Sequence, residues 1–333
     1  MSVAKLISHK WKKYLMIILA LLICFVVTYS VIFLITIYHA TNDIYTEIER
    51  SGDKSEYRLE NVTVGKDPIS ILLIGVEDYE TNGQNGRADT LIVVTLNPDT
   101  KQMTMTTVPR DTSIEFTEEE VGRYAGFHKI NAAYSYGSMF GYGEDKLVIE
   151  KVEQLLDIPI DEYVAVNFDG FKDIVDSLDG VKVNIKEPFW EKNFYTPGER
   201  LYFEKGERKL NGEEALAFVR MRKRDVNAAY PRDERQRQFI QAIIDEAIST
   251  NTLLKVGEIT DIVGHNVTTS LSPIEIFHLQ QIYSSINTSD IKTFEIEGED
   301  DMIDGIYYVI PTEENLLNIS EQLKQELELT TDK

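Results

Sequence analysis

Seven lysines and arginines but only three acids fall between Arg220 and Arg237, in a chain of 333 residues whose formal net charge is −22. Guanidinium forks bind phosphate oxygens in pairs, and a helix N-terminus adds unpaired N–H groups to the same task. A helix is predicted to begin near Pro231, because Phe239, Ile240, Ile243, Ile244 and Ala247 then form one apolar stripe. Arg232 lies in its first turn and shares a face with Gln236, four residues on. If Phe218–Arg222 is extended, Arg220 and Arg222 point to one side. These four residues would seat a phosphate or a pyrophosphate. The alternative is a solvated basic loop, ion-paired to Asp225, Asp233 and Glu234. Lys223, Arg224 and Arg237 are expected to be solvated or paired, and the direction of Arg235 stays open.

A second cluster lies upstream. "GRADT" puts Arg87 and Asp89 just before an apolar run, and "VPRDT" puts Arg110 and Asp111 just after another. Strand ends are where α/β sheets place their ligand crevices, although each pair alone also fits a structural turn. "HKINAAYSYG" offers Lys129 and Asn131 on what reads as the first turn of a helix. An ordinary capped helix packing on Tyr134 and Tyr136 would look the same.

The elements that must position these residues alternate in type. Ile69–Val76, Asp89–Asn97 and Met103–Pro109 read as strands, and Asp145–Ile158 spaces its apolar residues for a helix. A strand, a helix closed by Gly180 and the strand "VKVNI" follow, and Asn211 with Glu214 predicts a capping box for the next helix. This pattern predicts an α/β layered domain over residues 67–250. Residues 251–333 carry two more helical patterns around one strand, and are expected to pack on that domain as an extension.

Tyr14 to Tyr38 contains no charge and is long enough for a transmembrane helix, which needs about 20 residues. Lys5, Lys10, Lys12 and Lys13 precede it, so residues 1–13 are expected in the cytoplasm and residues 39–66 as an extracellular stalk. With those four lysines set apart, the remainder carries −26. That charge, with no helix-turn-helix pattern, argues against nucleic acid as a partner. A single cysteine, Cys24, excludes an intrachain disulfide, and the five histidines show no metal-ligand spacing.

From "ILLIGVE" through "GRADTLIVVTLNP", "VPRDT", "KINAAYSYG" and "LNGEEALAFVRMRK" to "RDERQRQ", the order of motifs resembles the LytR–CpsA–Psr family of Gram-positive cell-wall enzymes. The resemblance covers about Ile69 to Ile248. It implies an α/β/α layered domain around a mixed central sheet, anchored by one N-terminal transmembrane helix, with an apolar pocket for a prenyl tail. It also implies a phosphotransferase that moves an anionic glycopolymer from a polyprenyl-pyrophosphate carrier to peptidoglycan at the outer membrane face. Hydrolysis of the carrier, or carrier binding without turnover, are the alternatives. By position, Arg87, Arg110, Arg220, Arg222, Arg232, Gln236 and, more loosely, Lys129 match the residues around the pyrophosphate. Asp89 matches an aspartate on the Mg²⁺ side, and Arg110 is the candidate for stabilising transition-state charge. Asp89 or Asp111 would serve as base. The sequence departs from the family at Glu77, which stands where an aspartate is usual with Asp78 beside it, and at Ala229 and Pro231.

Overall fold

In a computed structural model of the chain, the described residues are 45–50, 52, 54–78, 85–248, 266–284, 286 and 290–329. The expected cytoplasmic tail and the apolar stretch 14–38 lie outside them. Among the described residues no helix is long and apolar enough to cross a membrane.

Strand β1 (Ile69–Glu77) is apolar on both faces, and it lies at the centre of a sheet covered on both sides. β2 (Arg87–Asn97) and β3 (Gln102–Val108) follow as an antiparallel meander. β4 (Ser113–Phe116), the short helix α1 (Glu118–Val121) and β5 (Gly126–Lys129) lead into helices α2 (Ala132–Phe140) and α3 (Glu144–Leu156). β6 (Glu162–Asn167) returns parallel to β1, and α4 (Phe168–Ser177) follows it. Next come β7 (Val181–Ile185), β8 (Phe189–Lys192), β9 (Arg200–Phe203), β10 (Gly206–Leu210), α5 (Gly212–Arg220) and α6 (Arg232–Ile248). The chain ends with β11 (Val267–Thr269), α7 (Pro273–Tyr283), β12 (Lys292–Glu295), the hairpin β13 (Gly298–Ile303) and β14 (Ile306–Pro311), and α8 (Glu313–Glu326).

The central sheet runs β11-β6-β1-β2-β3-β12 and is mixed. Alternation along β1 divides its residues between two cores. Leu72, Ile74 and Val76 pack with α2, α3 and α8 on one face. Ile69 and Ile71 pack with Ile240 and Ile244 of α6 and with α7 on the other. A side lobe has its own core, built from α4, α5, the β7–β10 and β8–β9 ribbons, and Phe239 of α6. Helix α6 therefore serves two cores, and its predicted stripe splits: Ile240 and Ile244 face the sheet, while Phe239 and Ile243 face the lobe.

Both edge strands of the sheet come from beyond residue 250, so the segment expected as an extension is part of the framework. The expected stalk also differs. From residue 45 onward it lies along the domain, with Tyr45 bridged to Thr269 and Val64 buried. Irregular backbone has no periodicity to read, and the segment is tied down by single polar side chains. Ser55 Oγ donates to Glu153 at 2.7 Å. Arg58 donates to both oxygens of Asp161, at 2.9 and 2.6 Å, and to the Pro68 carbonyl at 2.9 Å.

The Arg58–Asp161 pair is almost fully buried, at 6% and 4% side-chain exposure. Arg58→Met is expected to strand the carboxylate and lower stability by about 3 kcal/mol, as removal of one partner of a buried ion pair does. Denaturant unfolding measures this, and a loss below about 1 kcal/mol would mean that the strap is not held by this pair.

Candidate active site

A break in strand register positions the first site residue. Val76 pairs with Ala88 and Gly75 with Thr90, which leaves Asp89 as the extra residue of a β-bulge. Bulges re-aim side chains at sheet ends. Here Ala88 stays in the core while Asp89 and Thr90 both line a cleft of about 130 Å³. Gly75 makes room for Thr90, since a Cβ there would come within 2.9 Å of the threonine Cβ.

The loop after β3 supplies the second. Arg110 Nη1 donates to Asp89 Oδ2 at 2.5 Å, and its Nε lies 3.4 Å from Asp111 Oδ2. Asn131 Nδ2 donates to Asp89 Oδ1 at 3.1 Å, and Lys129 Nζ to Asp111 Oδ1 at 2.6 Å. Burial alone would raise the Asp111 carboxyl, but the Lys129 hydrogen bond and the Arg110 and Lys129 charges outweigh it and hold the group below its ordinary range. Lys129 closes β5 rather than opening a helix, and Asn131 makes no side-chain cap despite standing just before α2. Its amide holds Asp89 instead.

The opposite wall is the first turn of α6, where Arg232, Asp233 and Gln236 line the cleft and Gln236 Nε2 donates to Thr90 Oγ1 at 3.0 Å. Arg222 is exposed close by. Burial, then the neighbouring Arg110 and Arg232, lower its pKa, against the pull of Asp111 and Asp89. Arg110 and Arg232 line the cleft and Arg222 lies within electrostatic reach of both, and closely spaced guanidiniums of this kind suit a polyanion.

Four expected site residues stand differently. Helix α5, with the predicted Asn211/Glu214 capping box, continues through Arg220, so Phe218–Arg222 is not extended and the two-residue alternation does not apply. The Arg220 guanidinium lies over Phe168 and Phe194, 4.4 and 4.6 Å from their ring centres, and is not among the residues lining the cleft. Lys129 reaches the cleft through Asp111. Arg87 and Glu77 face each other at the strand ends of β2 and β1. Glu77 shares the sheet face of Gly75 and Thr90, whereas Asp78 accepts from Asn167 Nδ2 at 3.3 Å.

Sequence reasoning missed two residues here. Tyr307 of β14 lines the cleft from a strand two hundred positions downstream, for which no local signal exists. Arg235, whose direction stayed open, has its side chain in the lobe core at 0% exposure. It donates to the carbonyls of Phe218, Met221 and Tyr230, and at 3.0 Å to Asn227 Oδ1. Burial lowers its pKa to about 10, so it remains charged at neutral pH. Its place four residues before Phe239 puts it on the buried stripe, which was the available signal. Of the remaining cations, Arg224 stacks on Trp190 and pairs with Glu191 at 3.3 Å, and Arg237 lies 3.5 Å from Glu295.

Fold and site define a three-layer α/β protein that can seat a multiply charged phosphate group at the end of its sheet. The LytR_cpsA_psr family profile matches residues 31–325, and the chain belongs to that family. It is similar to the polyisoprenyl-teichoic acid–peptidoglycan teichoic acid transferase TagV of Bacillus subtilis, with 41% identity over 97% of this chain and 81% of that one. The crystal structure of B. subtilis TagV superposes with a TM-score of 0.69 at 42% identity, covering 80% of this chain and 99% of that one. B. subtilis YwtF (TagT), solved with bound octaprenyl pyrophosphate lipid, superposes with a TM-score of 0.64 at 27% identity, over 86% of this chain and all of that one.

Arg235→Lys keeps the charge but cannot reach all four acceptors. The variant is expected to lose about 2 kcal/mol or more, because the released carbonyls stay buried. Hydrogen exchange should quicken in residues 221–230 before the central sheet is affected. Unchanged protection there would show that the loop holds its shape without Arg235.

Proposed function

We propose that this chain transfers a teichoic-acid-type glycopolymer from a polyprenyl-pyrophosphate carrier to peptidoglycan, forming a phosphodiester. The observation that carries this reading is the cleft itself, where Arg110 and Arg232 line the walls with Asp89 and Arg222 is close enough to feel their charges, in a chain of net charge −22. The names of its relatives support it, since TagV is a teichoic acid transferase and YwtF binds an octaprenyl pyrophosphate lipid.

An acceptor hydroxyl attacks the phosphorus that carries the polymer. The bond to the bridging oxygen breaks, and the polyprenyl monophosphate leaves with the electron pair. Negative charge grows on the bridging oxygen, and fixed guanidinium groups stabilise it without reorganising. Arg110 takes that role, held in place by Asp89 and Asp111, with Arg222 and Arg232 on the flanking oxygens. Arg87, Lys129 and Arg220 act at the margins, where each adds positive potential. Asp111 is a weak base because its pKa is held down. The hydroxyl proton passes to one of the two carboxylates beside Arg110, Asp89 or Asp111.

Mg²⁺ suits the donors present, because it takes oxygen ligands and commonly binds one or two carboxylates plus substrate phosphates, and the Asp89 carboxylate lines the cleft. Asp89 would hold it, with Glu77 as the second carboxylate on the same sheet face, and when bound it would add charge stabilisation at the phosphates. Residues 14–38 serve as a membrane anchor with residues 1–13 in the cytoplasm, which keeps the external domain beside a carrier lipid that cannot leave the bilayer.

Arg110→Ala is expected to reduce polymer transfer by about 10³-fold or more, the scale set by arginines that act on transition-state charge. Its melting temperature should hardly move, because Asp89 keeps the hydrogen bond from Asn131 and Asp111 that from Lys129. Near-parental transfer by this variant would overturn the assignment. Asp89→Ala is expected to leave a small residual rate that no longer rises with added Mg²⁺. A residual rate that still climbs with the metal would remove Asp89 as its ligand.

A further inference from the structure

Helix α7 carries apolar residues on every side. Leu279, Ile282 and Tyr283 pack into the core that the sheet shares with α6. Ile274, Ile276 and Phe277, near its N-terminus, are instead exposed, at 67%, 49% and 44%. A surface helix normally keeps its outer face polar, and contiguous exposed apolar side chains mark an interaction site. Only Glu275 and His278 are ionisable in this helix. The Glu275 carboxylate is turned back onto Ser272, accepting from its N–H at 2.8 Å and its Oγ at 2.6 Å. The turn therefore presents hydrocarbon and no lysine or arginine.

What covers it is set by the chain itself. Thr46 N–H donates to the Thr269 carbonyl at 2.9 Å and Tyr45 bridges Thr269, so the N-terminal approach is fixed to β11. Ile274 follows five residues after Thr269. Burial, Glu47, Glu162 and Glu275 together raise the pKa of the Tyr45 hydroxyl, which places Tyr45 beside this turn of α7. Seven peptide steps separate Tyr45 from Tyr38, where the charge-free stretch ends. At no more than about 3.6 Å each, they reach about 25 Å.

We propose that the first turn of α7, with Tyr45 beside it, rests in the outer leaflet of the bilayer that holds residues 14–38. The proposal rests on the membrane anchor of the reading above and adds the face that the domain turns to the lipid. Isoleucine and phenylalanine suit the boundary of the acyl chains, and a half-exposed tyrosine suits the head-group level. Without a basic group the contact draws on apolar area alone, so it does not depend on anionic lipid. Met302, Ile303 and Ile306 form another exposed apolar group, at the tip of the β13–β14 hairpin. That hairpin belongs to the cleft, since Val309 N–H donates to the Asp111 carbonyl at 3.0 Å. Strand β6 runs parallel to β1 and towards the cleft end of the sheet, and β11 runs against it, so α7 begins at the far end. The tether reaches the α7 end of the sheet, and the cleft is left facing away from the lipid.

The test uses the full-length protein with Cys24→Ser and Ile276→Cys, labelled with a fluorophore at position 276 and reconstituted in phosphatidylcholine vesicles. Nitroxide on the lipid acyl chains is expected to remove most of the emission. The loss should be the same at low and high salt, because the turn holds no lysine or arginine whose attraction salt would screen. Adding Ile274→Asp with Phe277→Asp should restore the emission at an unchanged melting temperature, since acids are tolerated at exposed positions near a helix N-terminus. A label placed instead through Met302→Cys should keep its emission in the same vesicles. Full emission at position 276, or quenching that survives the double substitution, overturns the proposal. So does quenching at position 302 in place of 276. Shielding of position 276 that grows with protein density in nitroxide-free vesicles also overturns it, because the turn would then serve a second copy. Release of the parent by alkaline carbonate would refute the anchor reading itself, whereas a stably inserted protein with position 276 unquenched refutes the docking alone.

Discussion

A buried positive charge is costly unless it is fully hydrogen-bonded, and Arg235 meets that condition without a carboxylate. Its acceptors are carbonyls at the end of α5 and in the loop that follows, where the helix dipole already favours a cation. Three consequences follow from that choice of partner. The end of α5 is drawn onto α6, the loop carrying Arg222 is held beside the first turn carrying Arg232, and the positive charge is not cancelled. A carboxylate at the same place would have fixed the loop equally well but removed potential from the cleft. In a chain of net charge −22, a cationic pocket survives because its structural arginine is balanced by dipoles.

Gathering Arg110, Arg222 and Arg232 has a penalty of its own, visible in the lowered pKa of Arg222. Asp89 and Asp111 relieve part of it, and each is held by a second partner, Asn131 or Lys129. The carboxylates therefore cannot swing away when an anion arrives. In the proposed function, the oxygens of a pyrophosphate would supply the counter-charge that these guanidiniums lack.

The bulge at Asp89 makes this possible from both sides of the sheet. Regular alternation would send neighbouring residues of β2 to opposite faces, but the extra residue lets Asp89 and Thr90 share one cleft. Asn131 approaches from the α2 face and Gln236 from the α6 face, so two separate cores fix a single site. The segments outside the cleft motifs take part too. β11 and β12 close the sheet edges, the hairpin carries Tyr307 to the cleft, and Arg58 straps the N-terminal approach to β6.

The sequence by itself determined what local physics controls. Apolar runs became the central strands, the Asn211/Glu214 box starts α5, and the arginines were visible as a cluster at odds with the net charge. Periodicity also held the clue to Arg235, a charge on an apolar stripe. Directions beyond one element were not legible. Arg220 and Arg222 diverge because α5 continues through Arg220, where an extended chain would have aligned them, and the site geometry at Asp89 depends on a register slip that β2 alone does not encode. Tyr307 and the Arg58–Asp161 strap join residues about two hundred and one hundred positions from their partners. Such contacts are chosen by how cores pack and how a buried charge finds acceptors, and only the tertiary structure decides both.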